Sequence, residues 1–232
     1  MLEDRFYFEQ IRFSVENSYD FIIQGCANDR YMEGRTITAK LGDEELQVTK
    51  KVYDEDTIKA RYASRDKEVN KGYFFVINLP EDYASKIAVL EVHIEDIETN
   101  EKISIYKCKT DRLKKMQNDV NFCIDSVMQQ ADSFFAKGWA IDSETVTIEV
   151  YAGKKKLDTD VSWHSRGDAL SQFHESETAS NIGFMAKAIV PKKSNLTLII
   201  STPQKKSIVK VSARGLSNGK TIVKKNYIHK AL

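Results

Sequence analysis

Hydrophobic and polar residues alternate with a period of two along most of this chain. The segment TVTIEVY, residues 145–151, places Val146, Ile148 and Val150 on one side and is followed by the turn Ala152-Gly153-Lys154. Alternation of this kind is typical of a β-strand with one buried face, and glycine is typical of the turn that ends it. The pattern predicts a chain built almost wholly from strands.

In the second half the pattern predicts strands near residues 120–127, 134–141, 145–151, 156–163, 183–190, 195–201 and 207–213. The first half gives a similar series and ends in a hairpin around Glu98-Thr99-Asn100. Two polar stretches, 53–67 and 165–178, interrupt the alternation. We interpret each as a crossing between two sheets that can hold a short helical turn.

The two halves of the chain repeat one another. The matched segments, with their offsets, are RFSVE and NFCID (121 − 12 = 109), GCAND and GWAID (138 − 25 = 113), and NKGY and NIGF (181 − 70 = 111), followed by Pro80 and Pro191 at the last offset. Four matches in the same order indicate a duplicated unit. Each copy has the length of one small domain.

Repeat and periodicity together predict an all-β fold with two tandem immunoglobulin-like antiparallel β-sandwich domains. The first sandwich covers residues 1–109, and a charged stretch at 110–119 is predicted to link it to the next. The second sandwich covers 120–215, and a basic tail, 216–232, follows it.

Composition narrows the classes of protein that this chain can belong to. Its 232 residues are 41% hydrophobic, enough for packed cores. With 35 basic and 34 acidic residues the net charge is +1, which provides no field for a nucleic-acid backbone, and we expect no nucleic-acid partner. No apolar run approaches a membrane span, and MLEDRFYFEQ lacks the pattern of a signal peptide, so we expect no transmembrane segment and a cytoplasmic location.

The sequence offers little chemistry for catalysis. Cys26, Cys108 and Cys123 are odd in number and lie in alternating apolar segments, which favours reduced core thiols over a disulfide framework or a zinc site. The chain has no glycine-rich phosphate loop, GxSxG elbow, HExxH or CxxC. We therefore expect no metal, no cofactor and no enzymatic activity from this chain itself.

The motif GWAID, 138–142, is predicted to have a structural role. Gly138 permits close approach of a neighbouring backbone or ring, and Asp142 can accept hydrogen bonds from turn amides. Trp139 is predicted to fill a buried slot that the smaller Cys26 fills in the first copy. A ligand-stacking role for Trp139 is the alternative.

The densest group of polar and aromatic residues is WHSRGDALSQFHESE, 163–177. Sugars bind aromatic faces through their C–H surfaces and polar side chains through their hydroxyls. The candidate glycan-binding residues are Trp163, His164, Arg166, Asp168 and His174. In the alternative interpretation, Arg166 and Asp168 form a salt-bridged turn, while Trp163 and Phe173 pack in the core.

Three short motifs in the second copy carry a resemblance to a known family. GWAID, RGDA at 166–169 and NIGF at 181–184 resemble segments of the tandem β-sandwich accessory domains that precede the catalytic domain of large bacterial glycosyltransferases building cell-wall or capsular polysaccharides. The resemblance covers 134–184 well and the first copy loosely, because Cys26 replaces the aromatic residue there. Ala169 also stands where the family has valine.

The resemblance implies a non-catalytic accessory module that binds acceptor glycan or mediates assembly. It implies that the chain is a fragment of a glycosyltransferase and that 216–232 lead into a downstream catalytic domain. It further implies self-association or contact with other polysaccharide-synthesis proteins, and peripheral association with the inner face of the membrane. The alternative is a stand-alone carbohydrate- or protein-binding β-sandwich protein with no enzyme attached.

Overall fold

The chain folds into two compact units that divide between Gln117 and Asn118 in the computed structural model. The structure describes residues 6–53, 69, 71–170, 173, 181–191, 194–212 and 224–225. The division lies within the stretch 110–119 that the sequence predicts as a linker.

The described part of the first unit consists mainly of strands. These are β1 (Phe6–Phe13), β2 (Asp20–Ala27), β3 (Arg35–Leu41), β4 (Glu44–Leu46), β5 (Val48–Tyr53), β6 (Lys71–Asn78), β7 (Val89–Asp96) and β8 (Lys102–Lys109). The helical elements are α1 (Asp29–Met32), a 3-10 turn (Tyr83–Ser85) and α2 (Thr110–Gln117).

Two antiparallel sheets form the first unit. The front sheet has the order β1-β2-β6-β5 and the back sheet has the order β4-β3-β7-β8. Phe21 and Phe75 from the front sheet join Leu90 and Val92 from the back sheet in one core, and all four are fully buried. Burial of alternate side chains from both sheets is what holds a sandwich together.

Helix α2 occupies most of the stretch predicted as a linker, and it belongs to the first unit. Leu113 is fully buried in the core of that unit. Gln117 fixes the end of α2, because its Nε2 donates to the Ser18 carbonyl at 2.6 Å and its Oε1 accepts from the Tyr83 hydroxyl at 2.8 Å. Leu113 and the partly buried Met116 are the apolar residues of α2 that contact the core, and charged residues occupy most of its other positions, which is why the periodicity does not indicate a helix.

The second unit repeats the architecture. Its described strands are β9 (Asn121–Gln130), β10 (Ser133–Ile141), β11 (Thr147–Ala152), β12 (Lys155–Lys156), β13 (Thr159–His164), β14 (Gly183–Ile189), β15 (Leu196–Ser201), β16 (Lys206–Val211) and β17 (Lys224–Lys225). Helix α3 (Gly167–Leu170) is the short helical turn predicted for 165–178. The prediction that this stretch crosses between two sheets is wrong, because it joins β13 to β14, which pair in one sheet, as β5 and β6 do in the first unit. The corresponding stretch of the first copy, 53–67, lies almost wholly outside the described residues.

The front sheet of the second unit has the order β13-β14-β10-β9-β17, and the back sheet has the order β12-β11-β15-β16. Phe134 and Phe184 from the front sheet pack with Leu198 and Ile200 from the back sheet. Two residues of the predicted tail, Lys224 and Lys225, pair with β9 and add a fifth strand to the front sheet.

Strand for strand, the two units share one topology. The front orders β1-β2-β6-β5 and β9-β10-β14-β13 correspond, as do the back orders β4-β3-β7-β8 and β12-β11-β15-β16. Lettered along the chain as A, B, C, C′, D, E, F and G, the sheets are A-B-E-D and C′-C-F-G, an order found in immunoglobulin-type sandwiches. The all-β, antiparallel prediction is confirmed.

One of the repeat matches is wrong. Phe8 pairs with Gly25, and Ile124 pairs with Gly138. The first strands therefore correspond at an offset of 116 (124 − 8), and the match of residues 12–16 with 121–125 is out of register. The longer loop before β2 shifts the alignment, since this loop runs from 14 to 19 whereas its counterpart holds only Ala131 and Asp132.

Candidate functional site

Trp163 and His164 are neighbours on strand β13 and therefore lie on opposite faces of the front sheet. Trp163 pairs with Phe184, a core residue, and the two rings meet edge to face with centroids 6.0 Å apart. Trp163 is nevertheless 37% exposed, so the alternative prediction that it packs in the core is wrong. Phe173, the other residue of that prediction, is buried.

His164 and Arg166 come together on the outer face, the face of the front sheet turned away from the core. Both pack over Gly183, where an added Cβ would lie 2.3 Å from Arg166 Cγ and 2.7 Å from His164 Nε2. A side chain at position 183 would therefore displace one or both of them.

Arg166 pairs with an acidic residue that the sequence prediction did not include. Its Nη1 donates to Asp125 Oδ2 at 2.6 Å, and both side chains are partly exposed. The Arg166 carbonyl accepts from the Ala169 amide at 3.0 Å and so begins the turn of α3. Asp168 lies in α3, but its side chain and the whole of His174 are outside the described residues.

Trp139 is buried on the same outer face, at 3% exposure, beneath Phe173. The two rings meet edge to face with centroids 5.2 Å apart. Trp139 pairs with Gly183 and Cys26 pairs with Gly72, so the two residues occupy equivalent positions. Cys26 is fully buried. The predicted shared buried slot is confirmed, although it lies outside the sheet and not between the two sheets.

Gly138 is required by the backbone of the neighbouring strand. An added Cβ would lie 2.1 Å from the Cys123 carbonyl oxygen. The equivalent Gly25 would meet the Tyr7 carbonyl oxygen at 2.5 Å. The ladder shifts at this point in both copies, leaving Glu9 and Asp125 as the extra residues of a β-bulge.

The aspartate that ends the repeated motif, GCAND in the first copy and GWAID in the second, pairs with a lysine in both copies. The sequence prediction had assigned it to turn amides. Asp142 Oδ2 lies 2.8 Å from Lys205 Nζ, and the Asp142 side chain is 2% exposed. Asp29 Oδ2 lies 2.6 Å from Lys71 Nζ, and this hydrogen bond lowers the pKa of Asp29. Each pair ties the end of a front strand to another strand or turn of its own unit.

Apart from these shared features, the outer faces of the two front sheets differ in which residues are buried. Arg12 and Gln24 are buried in the first unit. Their equivalents by register, Met128 and Lys137, are exposed in the second. The outer face is therefore buried and polar at these positions in the first unit and exposed in the second.

A pocket of about 320 Å³ opens at the end of the second sandwich, where β10 gives way to the connection into β11. Trp163 forms part of its wall. The other lining residues are Ala140, Ile141, Asp142, Glu144, Thr145, Val146, Asn181 and Ile182.

The polar groups of this Trp163 pocket differ in whether they already have a bonding partner. Asp142 is held by Lys205, whereas Oε2 of Glu144 is buried without a hydrogen-bond partner among the described residues. Asn181 is exposed and offers both a donor and an acceptor. The pocket therefore combines an aromatic face, an amide and a carboxylate.

The structure thus divides the predicted site. It places Trp163 in the pocket and His164 with Arg166 on the outer face, and it brings Glu144 and Asn181 to Trp163. Two signals could have located these partners: the ends of antiparallel neighbours meet at one edge, and Glu144 lies two residues after the end of GWAID. Asp125 could be recognised as a bulge residue only if the first strands of the two copies were aligned at the correct offset, which pairs it with Glu9.

No protein-family model matches the chain, and no curated protein matches it. Within the described residues no group of three or more His, Cys, Asp or Glu side chains could hold a metal ion. The helices that the structure describes are all too short or too polar to cross a membrane.

Proposed function

We propose that the second unit binds saccharide at the Trp163 pocket. The observation that carries this proposal is an aromatic ring, more than one-third exposed, in the wall of a concave site with a free carboxylate and an amide. A volume of about 320 Å³ lies at the small end of the range for ligand sites, ~300–1,000 Å³. The pocket therefore suits one sugar residue better than several.

The ring of Trp163 is held in place before any ligand arrives. Its edge-to-face contact with Phe184, with planes at 63°, restricts rotation. A fixed ring loses little conformational entropy on binding, which favours affinity. Neighbouring Thr145 and Asn181 supply groups that can exchange hydrogen bonds with sugar hydroxyls.

Binding without hydrolysis is the chemistry that the pocket supports. Glycoside hydrolysis uses two carboxyl groups, one as acid and the other as base or nucleophile. Two carboxylates line this pocket, but Asp142 is paired with Lys205 and its side chain is 2% exposed. Among the described residues of the pocket, Glu144 therefore has no second free carboxyl group with which to form a catalytic pair.

We further propose that the chain is a non-catalytic accessory module of a bacterial glycosyltransferase in cell-wall or capsular polysaccharide synthesis, acting in the cytoplasm at the inner membrane face. Support comes from the residues that carry the resemblance. Ala140, Ile141 and Asp142 of GWAID wall the pocket, as do Asn181 and Ile182 of NIGF. The ligand in this proposal is the acceptor glycan.

Titration with cell-wall oligosaccharides, followed by amide shifts in NMR spectra, tests the binding. We expect shifts at 140–146, 163 and 181–182 at millimolar ligand. Trp163→Ala should abolish them, whereas His164→Ala, the matched change on the other face of β13, should leave them in place. Shifts centred on Arg166 and Asp125 instead would move the site to the outer face. No shift anywhere would reject saccharide binding.

A further inference from the structure

The charges around the Trp163 pocket do not cancel. Asp142 and Lys205 neutralise one another across 2.8 Å. Glu144 adds a second carboxylate, and no described residue forms an ion pair with it. The remaining lining residues are uncharged. Among the described lining residues, the carboxylate of Glu144 is therefore the one charge without a counter-ion.

One oxygen of this carboxylate also lacks a hydrogen-bond donor among the described residues. Oε2 of Glu144 has almost no contact with solvent and no partner among the described residues. A buried acceptor left without a partner costs about 1–3 kcal/mol, and more when it is charged. Glu144 as a whole is only half-buried, so a small rotation can present its carboxylate to a ligand.

Trp163 favours the same kind of ligand. The face of an indole ring attracts a cation, and the attraction strengthens where the cation is partly desolvated. An exposed tryptophan and an unpaired carboxylate in one pocket both favour an ammonium group. Neither favours an anion, since a carboxylate or phosphate on the ligand would meet the charge of Glu144.

We propose that the Trp163 pocket selects saccharides that carry a free primary amine over neutral and anionic saccharides. This inference rests on the proposed saccharide binding at the same pocket. The sugar ring packs against Trp163, and its ammonium group donates a charge-assisted hydrogen bond to Glu144. Amino sugars are therefore the ligand class, and Glu144 determines the specificity.

Three tetrasaccharides with the same β-1,4 linkage test the selection, because they differ only at carbon 2. Chitosan tetraose carries an amine there, cellotetraose a hydroxyl and chitotetraose an acetamide. Calorimetric titration of the whole chain, below the pKa of the sugar amines, should show chitosan tetraose binding about tenfold more tightly than the other two. Added salt should weaken this preference.

Variants assign the preference to one side chain. Glu144→Gln keeps the shape of the residue and should bring chitosan tetraose to the affinity of cellotetraose. Glu81→Gln, an exposed position in the first unit, makes the same change in net charge and should leave the preference intact. Equal thermal unfolding of both variants excludes a folding defect.

The outcomes separate the two proposals. Equal affinity for all three tetrasaccharides would overturn the amine preference and leave saccharide binding standing. A preference that survives in Glu144→Gln would overturn the role of Glu144. Binding of ethanolamine as tight as that of chitosan tetraose, with none for cellotetraose, would keep the ammonium site and reject the saccharide. No binding of any probe would reject both proposals.

Discussion

Neighbouring side chains on a strand point to opposite sides of its sheet, and this decides what Trp163 and His164 can do together. Alternation along β13 assigns Trp163 to the pocket and His164 to the outer face. The sequence identified the aromatic residue that lines the pocket. Glu144 was not among the predicted site residues, although it lies near GWAID, because it joins Trp163 in one pocket only through the packing of strand ends.

Truncation of the two tryptophans should destabilise the second unit to very different degrees. Trp139 is 3% exposed beneath Phe173, so Trp139→Ala leaves a cavity and should cost about 3–5 kcal/mol of the free energy of unfolding. Trp163→Ala removes a partly exposed ring and should cost much less. Denaturant unfolding followed by circular dichroism measures both. Equal losses would contradict the assignment.

Three glycines should tolerate alanine to different degrees. Gly138→Ala places a methyl group 2.1 Å from a backbone oxygen, so it should cost at least the ~1–3 kcal/mol typical of overpacking. Gly183→Ala meets side-chain atoms and not backbone, so it should cost less than Gly138→Ala, while displacing Arg166 from Asp125.

Gly167→Ala meets no atom within 4 Å and is the control, with a change near zero. Thermal unfolding ranks the three variants. A Gly138→Ala protein as stable as the Gly167→Ala protein would show that β9 does not pass as closely as described.

At the scale of elements, strands were predictable and α2 was not. Strands expose or bury alternate residues, and this signal survives in each β-strand that borders a core. Helix α2 presents charged side chains on most of its surface, and its burial depends on Leu113 and on Gln117 reaching the Ser18 carbonyl. The loop that carries Ser18 is longer than its counterpart in the second unit.

Leu113→Ala tests whether α2 is part of the first unit or only a connection. Leu113 is fully buried, and truncation of such a leucine typically costs about 2–5 kcal/mol. Hydrogen exchange should become faster throughout the first unit. The control is Lys114→Ala, the next residue, which is exposed and should change little. An unaffected first unit would show that α2 contributes nothing to its stability.

The whole molecule is a duplication in which the topology was kept and the surface was not. The repeat, its two copies and their strands follow from sequence alone, because glycine positions and periodicity survive drift. The outer faces have diverged, from Arg12 to Met128 and from Gln24 to Lys137, and no pattern predicts which face stays covered.

Acid should lower the stability of the first unit by more than that of the second. Lysine, arginine or turn amides lower the pKa of five described carboxyl groups, which are Asp29, Glu45, Glu91, Asp96 and Glu149. A lowered pKa in the folded state stabilises the fold above the unfolded pKa, and this stability is lost as the pH falls through the folded value. Four of the five lie in the first unit. Hydrogen exchange, measured as the pH falls below about 4, should show the larger loss of protection there.

The purified chain should turn over no nucleotide sugar and no glycoside. Its sandwiches contain no nucleotide-binding α/β fold in the described residues, and the carboxylates of the pocket are not an organised acid and base. Incubation with radiolabelled nucleotide sugars and acceptor oligosaccharides is the assay. Transfer that persists in the Glu144→Gln protein would place catalysis outside the pocket, and any transfer at all would contradict a purely binding role.

Both tryptophans of the chain lie in the second unit, one buried beneath Phe173 and the other open to solvent. Intrinsic indole emission therefore reports on the second unit alone, and unfolding of the first unit is silent at that wavelength. A melt read by emission and a melt read by a backbone signal will coincide only if the two copies unfold together. Any gap between the two curves measures how far the stabilities of the duplicated units have separated.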